Sequence, residues 1–155
     1  MRCGAKKGDV ILVTGSIGGS IKGKHLDFMP RVDAARELVK KFNIHSMIDI
    51  TDGLLLDLWR VLDASGVGCR IYESAIPLSR DAGSFDNAVR DGEDFELLFT
   101  MGMKESIGIR PVDIKFPINI IGEVTDKRYG YRLIREGGST EKIAPRARSK
   151  GYLHF

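Results

Sequence analysis

Apolar positions along the chain fall into short blocks whose period changes repeatedly. After the turn Lys6-Lys7-Gly8-Asp9, the unbroken run 10–13 predicts a strand buried on both faces. Pro30 opens a predicted helix carrying Val32, Ala35, Leu38, Val39 and Phe42 on one face, with Asn43 near its end. Met47, Ile48 and Ile50 predict a short buried strand. Directly after it, Leu54, Leu55, Leu58, Val61 and Leu62 recur at helical spacing until Gly66 supplies a stop. Further strands are predicted at 67–72, from about Phe95, at 117–124 and at 129–135, the last two joined by a turn at Asp126-Lys127. Between them, 76–79 reads as extended and 80–90 as a short helix or loop with Phe85, Ala88 and Val89 turned inward. Residues 103–109 are weakly helical and 136–150 irregular. The aromatic ending Gly151-Tyr-Leu-His-Phe155 is of a kind that packs.

Three stretches carry candidate chemistry. Asp49, Thr51 and Asp52 sit where a strand gives way to a helix. Thr51 or Asp52 can cap that helix, because its first N–H groups lack partners. A second carboxylate so close permits an Mg²⁺ or phosphate–metal site at the positive helix end, against the plainer reading of one cap and one solvated Asp. The run Gly15-Ser-Ile-Gly-Gly-Ser-Ile-Lys-Gly23 can bring backbone N–H groups near an anion, or can simply turn the chain. It is not a P-loop: His25 stands where Ser or Thr would hold Mg²⁺, and Pro30 interrupts the helix that should follow. Finally, Asp91, Glu93, Asp94 and Glu96 crowd four carboxylates into six residues, the pattern of an exposed acidic turn unless a cation or donors meet them.

Composition adds bounds rather than function. A chain of 155 residues with 43% apolar and 29% charged residues has the make-up of one soluble globular domain. The formal charge of +3 permits anionic ligands, but the basic runs are too short for a nucleic-acid track, so no such partner is expected. Two cysteines and three scattered histidines offer neither a disulfide framework nor a zinc spacing. No signal-peptide pattern and no apolar run near 18 residues is present, so the expectation is a cytoplasmic protein without a membrane partner.

The segments Gly8-Asp-Val-Ile-Leu-Val-Thr-Gly15, Met47-Ile-Asp-Ile-Thr-Asp-Gly-Leu54, Gly92-Glu-Asp-Phe-Glu-Leu-Leu-Phe-Thr100, Ile121-Gly-Glu-Val124 and Gly151-Tyr-x-His-Phe155 occur in this order. Together they resemble the C-terminal domain of the thiamine-monophosphate kinases, a branch of the aminoimidazole ribonucleotide synthetase-like ATP-dependent enzymes. The resemblance implies an α+β fold, a mixed sheet with packed helices, partly ferredoxin-like. It also implies transfer of the γ-phosphoryl group of ATP to thiamine monophosphate, giving the diphosphate. By that resemblance Asp49 and Asp52 are the catalytic carboxylates and Mg²⁺ ligands. Thr51, usually Ser in the family, contacts the nucleotide; Glu93 accepts from the substrate aminopyrimidine, and Tyr152 meets its cationic thiazolium. Asp94 and Glu96 lie in the motif without an assigned role.

Departures from the family pattern shape the rest. The family's N-terminal ATP-binding domain has no counterpart in residues 1–155, which read as one C-terminal-type domain. Gly19 stands where these kinases commonly carry Asp. The chain is therefore expected to be a substrate-side half of an active site, inactive alone. Its expected partners are thiamine monophosphate or a similar phosphorylated small molecule, ATP, and an N-terminal half or a second copy. A stand-alone module that binds a phosphorylated ligand, and a purine-precursor enzyme of the same superfamily, remain open alternatives.

Overall fold

In the computed structural model, residues 2–19, 31–109 and 116–144 are described. Their strands are β1 (Asp9–Thr14), β2 (Ile44–Asp49), β3 (Gly68–Tyr72), β4 (Leu97–Gly102), β5 (Ile118–Thr125), β6 (Tyr131–Ile134) and β7 (Thr140–Lys142). The helices among them are α1 (Val32–Lys41), α2 (Leu54–Ser65), α3 (Phe85–Ala88) and α4 (Met103–Ser106). The strands form one mixed sheet in the order β2-β4-β1-β5-β3-β6-β7, with β3 and β6 as its parallel pair. The α+β architecture expected from the sequence is the one observed.

Alternation along β1 sets the two cores. Ile11 and Val13 face one side, where α2 lays down Leu54, Leu55, Leu58, Val61 and Leu62. Val10 and Leu12 face the other, with Phe99 and Met101 of β4 and with Ala34 and Leu38 of α1. Burial on both faces is why 10–13 reads as an unbroken apolar run, while the buried Asp9 and Thr14 at the strand's ends are met by hydrogen bonds. Each fully buried Leu or Ile in these layers contributes about 1.5–3 kcal/mol over leaving it exposed.

Four expectations need correction. First, Val32 and Val39 of α1 are 52% and 61% exposed, and the inward stripe is Ala34 and Leu38 with Ala35 and Phe42 at its border. Val32 and Val39 instead edge a groove of about 810 Å³ beside β2, the edge strand. Second, the turn expected at Asp126-Lys127 is present, but the strands it joins, β5 and β6, do not pair with each other. The 3₁₀ turn Lys127–Tyr129 carries the chain past the end of β3, where Cys69 N–H donates to the Gly130 carbonyl at 3.0 Å, so β6 lies beyond β3. Third, the segment 136–150 is not wholly irregular, since β7 pairs with β6 within it. Fourth, the strand expected near Phe95 begins at Leu97, because the backbone at Phe95 is left-handed (φ 53°) and cannot extend a ladder.

Candidate functional site

The strand–helix connection between β2 and α2 and the approach to β4 lie side by side. Glu93 N–H donates to the Thr51 carbonyl at 2.9 Å, Phe95 N–H to the Ile50 carbonyl at 2.9 Å, and Ile50 N–H to the Glu96 carbonyl at 2.8 Å. Gly92 makes this lacing possible, since a Cβ there would collide with the Thr51 carbonyl oxygen. The two stretches that the sequence marked separately, 49–52 and 91–96, are therefore one structural unit. Asp49 closes β2 with an exposed side chain, Asp52 is exposed, Thr51 is half-buried, and Glu93 is exposed. Tyr152 falls outside the described residues.

Neither Thr51 nor Asp52 caps α2. The cap position is Gly53, with no side-chain cap hydrogen bond. The connection is held from inside the helix instead. The Asp57 carboxylate, fully buried, accepts the N–H groups of Thr51 and Asp52 through Oδ2, each at 2.9 Å. Its Oδ1 accepts from Arg60 Nη1 at 2.9 Å, and the same Arg60 nitrogen reaches the Asp52 carboxylate. The hydrogen bond to Asp52 is the largest of the influences that raise the Arg60 pKa. Sequence reading missed Asp57, and a signal was available. It lies three residues after Leu54 and four before Val61, on the apolar stripe of α2, where a carboxylate costs stability unless donors meet it.

The acidic run is not an exposed turn. Glu93 alone among its Asp and Glu residues is classed exposed; Asp94 and Glu96 are buried, and Asp91 is intermediate. Asp94 Oδ1 accepts from Gly18 N–H at 2.8 Å, so this amide of the glycine-rich connection is already engaged by a carboxylate. Glu96 receives a fork from Arg31, Nε and Nη2 each at 3.0 Å, and the Thr14 hydroxyl at 2.6 Å. The Thr14 oxygen in turn accepts from Leu97 N–H at 2.8 Å. Gly15, at φ 57°, leaves room for this carboxylate against the backbone: a Cβ there would overlap it. A buried carboxylate is tolerated only with such partners, and deleting one partner typically costs about 3–5 kcal/mol.

Turning the chain so that Asp94 and Glu96 point inward while Glu93 points out requires left-handed backbone at Glu93 (φ 67°) and Phe95 (φ 53°). Such residues cost of order 1–3 kcal/mol each and persist where surrounding bonds over-determine them. Here the Glu93 and Phe95 N–H bonds to Thr51 and Ile50 do so.

The donor chemistry at Asp49 and Asp52 is that of a hard cation: exposed carboxylate oxygens, with no thiol or imidazole in the connection. Among the described residues no group of three or more His, Cys, Asp or Glu side chains is assembled to hold a metal ion. Carboxylate oxygens are the donor type that Mg²⁺ takes, and the Asp52 carboxylate is here paired with Arg60.

The family profile described as AIR synthase related protein, C-terminal domain, matches residues 6–108. The chain belongs to this family. A thiamine-monophosphate kinase of Rhodopirellula baltica is 38% identical to this AIR synthase related domain over 163 residues, covering 99% of the chain and 50% of the relative. Escherichia coli HypE superposes with a TM-score of 0.79 at 19% identity, covering 97% of this chain and 54% of that one, a likeness of fold alone. The structure of AaThiL complexed with AMPPCP and TMP gives a TM-score of 0.69 at 25% identity, over 93% of this chain and 52% of that one. The domain spans about half the length of the curated relatives it matches. Among its described residues, no helix is long and apolar enough to cross a membrane.

Proposed function

We propose that the chain is the substrate-side half of a phosphotransferase site of the thiamine-monophosphate kinase type, acting as one C-terminal domain over 1–155. Asp49 and Asp52 would hold Mg²⁺, which supplies charge neutralisation to the transferring phosphoryl group when bound. Thr51 contacts the nucleotide through its hydroxyl. Glu93 would receive the aminopyrimidine of thiamine monophosphate, and Tyr152, which the resemblance matches to the family's aromatic, would meet the thiazolium. ATP is the co-substrate. The ATP-binding half is the complementary piece, supplied by another segment or partner, and without it the chain completes no transfer. The observation that supports the reading is the backbone lacing of Glu93 to Thr51, which sets these two residues side by side. The relative from Rhodopirellula baltica, similar along 99% of the chain, supports the substrate class, as does the AaThiL complex with AMPPCP and TMP.

The test is titration of this chain with thiamine monophosphate, read by calorimetry and by the amide resonances of Thr51 and Glu93. Saturable binding that moves both amides is expected, with affinity several-fold weaker in Glu93→Gln, since a hydrogen bond to a charged group is worth about 1.5–3 kcal/mol before ordering costs. Binding that leaves both amides unmoved, or absence of binding at millimolar ligand, overturns the assignment.

A further inference from the structure

Arg60 bridges two carboxylates with different surroundings. Asp57 is fully buried and committed to the amides of Thr51 and Asp52, so its hold on Arg60 is part of the helix itself, three residues away. Asp52 lies in the connection with its side chain 53% exposed, and Arg60 meets it through the same Nη1. One bond is internal and fixed; the other faces solvent and is replaceable. A guanidinium carries five N–H donors, so losing Asp52 leaves it charged, still bonded to Asp57 and able to turn its remaining donors to water.

We propose that Arg60 is the resident counter-ion of Asp52, and that a divalent cation reaches Asp52 by exchange with it while Asp57 keeps the displaced guanidinium. This rests on the proposed role of Asp52 as a cation ligand. The exchange keeps a positive partner at the Asp52 carboxylate, a divalent one in place of a monovalent one, and the buried Asp57 is never stripped of its own. Its consequence is a low affinity for the bare cation, because entry requires breaking a charge-assisted hydrogen bond. A cation already carrying phosphate ligands brings further contacts that offset this cost.

Titration of the chain with Mg²⁺, followed by the Arg60 Nε–H and Asp52 amide resonances, tests the exchange, and Mn²⁺ binding read by electron paramagnetic resonance gives affinities. In the parent chain, Mg²⁺ should move the Arg60 resonance in step with that of Asp52. Arg60→Gln, which keeps a donor but removes the charge, should tighten Mn²⁺ binding roughly three- to ten-fold, the scale of one lost exposed charge partner. Arg60→Lys, which keeps the charge, should stay within about two-fold of the parent. An unchanged Thr51 amide in each variant verifies that Asp57 still holds the connection. Equal affinities across the three proteins, or an Asp52 response without an Arg60 response, overturn the exchange and leave the metal assignment standing. Absence of any cation response at Asp52 in all three overturns both.

Discussion

Glu93 illustrates how much of a site can reside in one backbone angle. Its side chain is exposed, so no core packing demands it, yet its φ of 67° is a conformation that glycine adopts at far lower cost. The strain is retained for what the geometry achieves: Asp94 and Glu96 turn inward onto Gly18 and Arg31 while Glu93 faces out beside Thr51. Glu93→Gly should therefore stabilise the chain by about 1 kcal/mol, a rise of about 2–4 °C in Tm at this size, while thiamine monophosphate binding is lost. Thermal melting beside calorimetry checks this; a lower Tm would show that the carboxylate contributes a structural bond. The sequence made the acidic density of 91–96 legible, and with it the presence of a special segment. The division of labour within it was not legible, because it depends on Arg31, Thr14 and Gly18, brought close only by the completed sheet. Asp57 was hidden for a different reason: helix periodicity records that a position faces the core, not which amides wait for it there.

At the scale of elements, strands with continuous or alternating apolar patterns were readable, and so was the helix between Leu54 and Ser65. The pieces that escaped, β7 and the crossing between β5 and β6, are those whose pairing is fixed by long-range ions and turns. Arg135, just past β6, is the hub of that region. Its Nη2 meets Asp86 at 2.7 Å and Glu141 of β7 at 2.5 Å, its Nη1 meets Glu73 at 3.5 Å, and it stacks over Phe85 at 5.1 Å. The three residues of this edge strand are not themselves buried; besides Arg135, β7 is held by its ladder with β6, by Arg90 Nη2 on Glu141 at 3.2 Å and by the buried Ile143 that follows it. Networks of this kind exceed isolated surface pairs, although the exposure of Asp86 and Glu141 limits the gain. Arg135→Met, which preserves length and loses the charge, should lower stability by about 1–3 kcal/mol. It should also open β7 preferentially, seen as faster amide exchange at Glu141 than at Leu98. High salt should shrink the difference from the parent. A variant as stable as the parent, with β7 amides equally protected, would remove Arg135 from this role.

For the whole molecule, the deciding feature is that the core under α2 runs without interruption from β1 through β3 to β6, so one buried layer couples both ends of the sheet. Two ionisable groups are built into it as neutral species, opposite each other in the parallel pair: Cys69 and Tyr131. Burial pushes the Cys69 thiol up to about 12, and burial together with the nearby Asp63 carboxylate pushes the Tyr131 phenol up to about 12. In the unfolded chain they titrate near 9 and 10. Between those values the folded chain keeps protons that the unfolded chain has released, so stability must fall as pH rises. The contribution of each group is whole below its unfolded pKa and is gone by about pH 12. Urea unfolding at a series of pH values from 8 to 11 should therefore show stability declining from about pH 9. Cys69→Ala costs packing at every pH, but it removes one of the two titrations, so its deficit relative to the parent should narrow as pH increases. Tyr131→Phe should behave likewise from about pH 10, because its Oη–Asp63 bond at 3.2 Å is lost with the proton in any case. Parallel pH profiles for the parent and both variants would mean that alkali unfolds the chain elsewhere, and that the layer does not act as one unit.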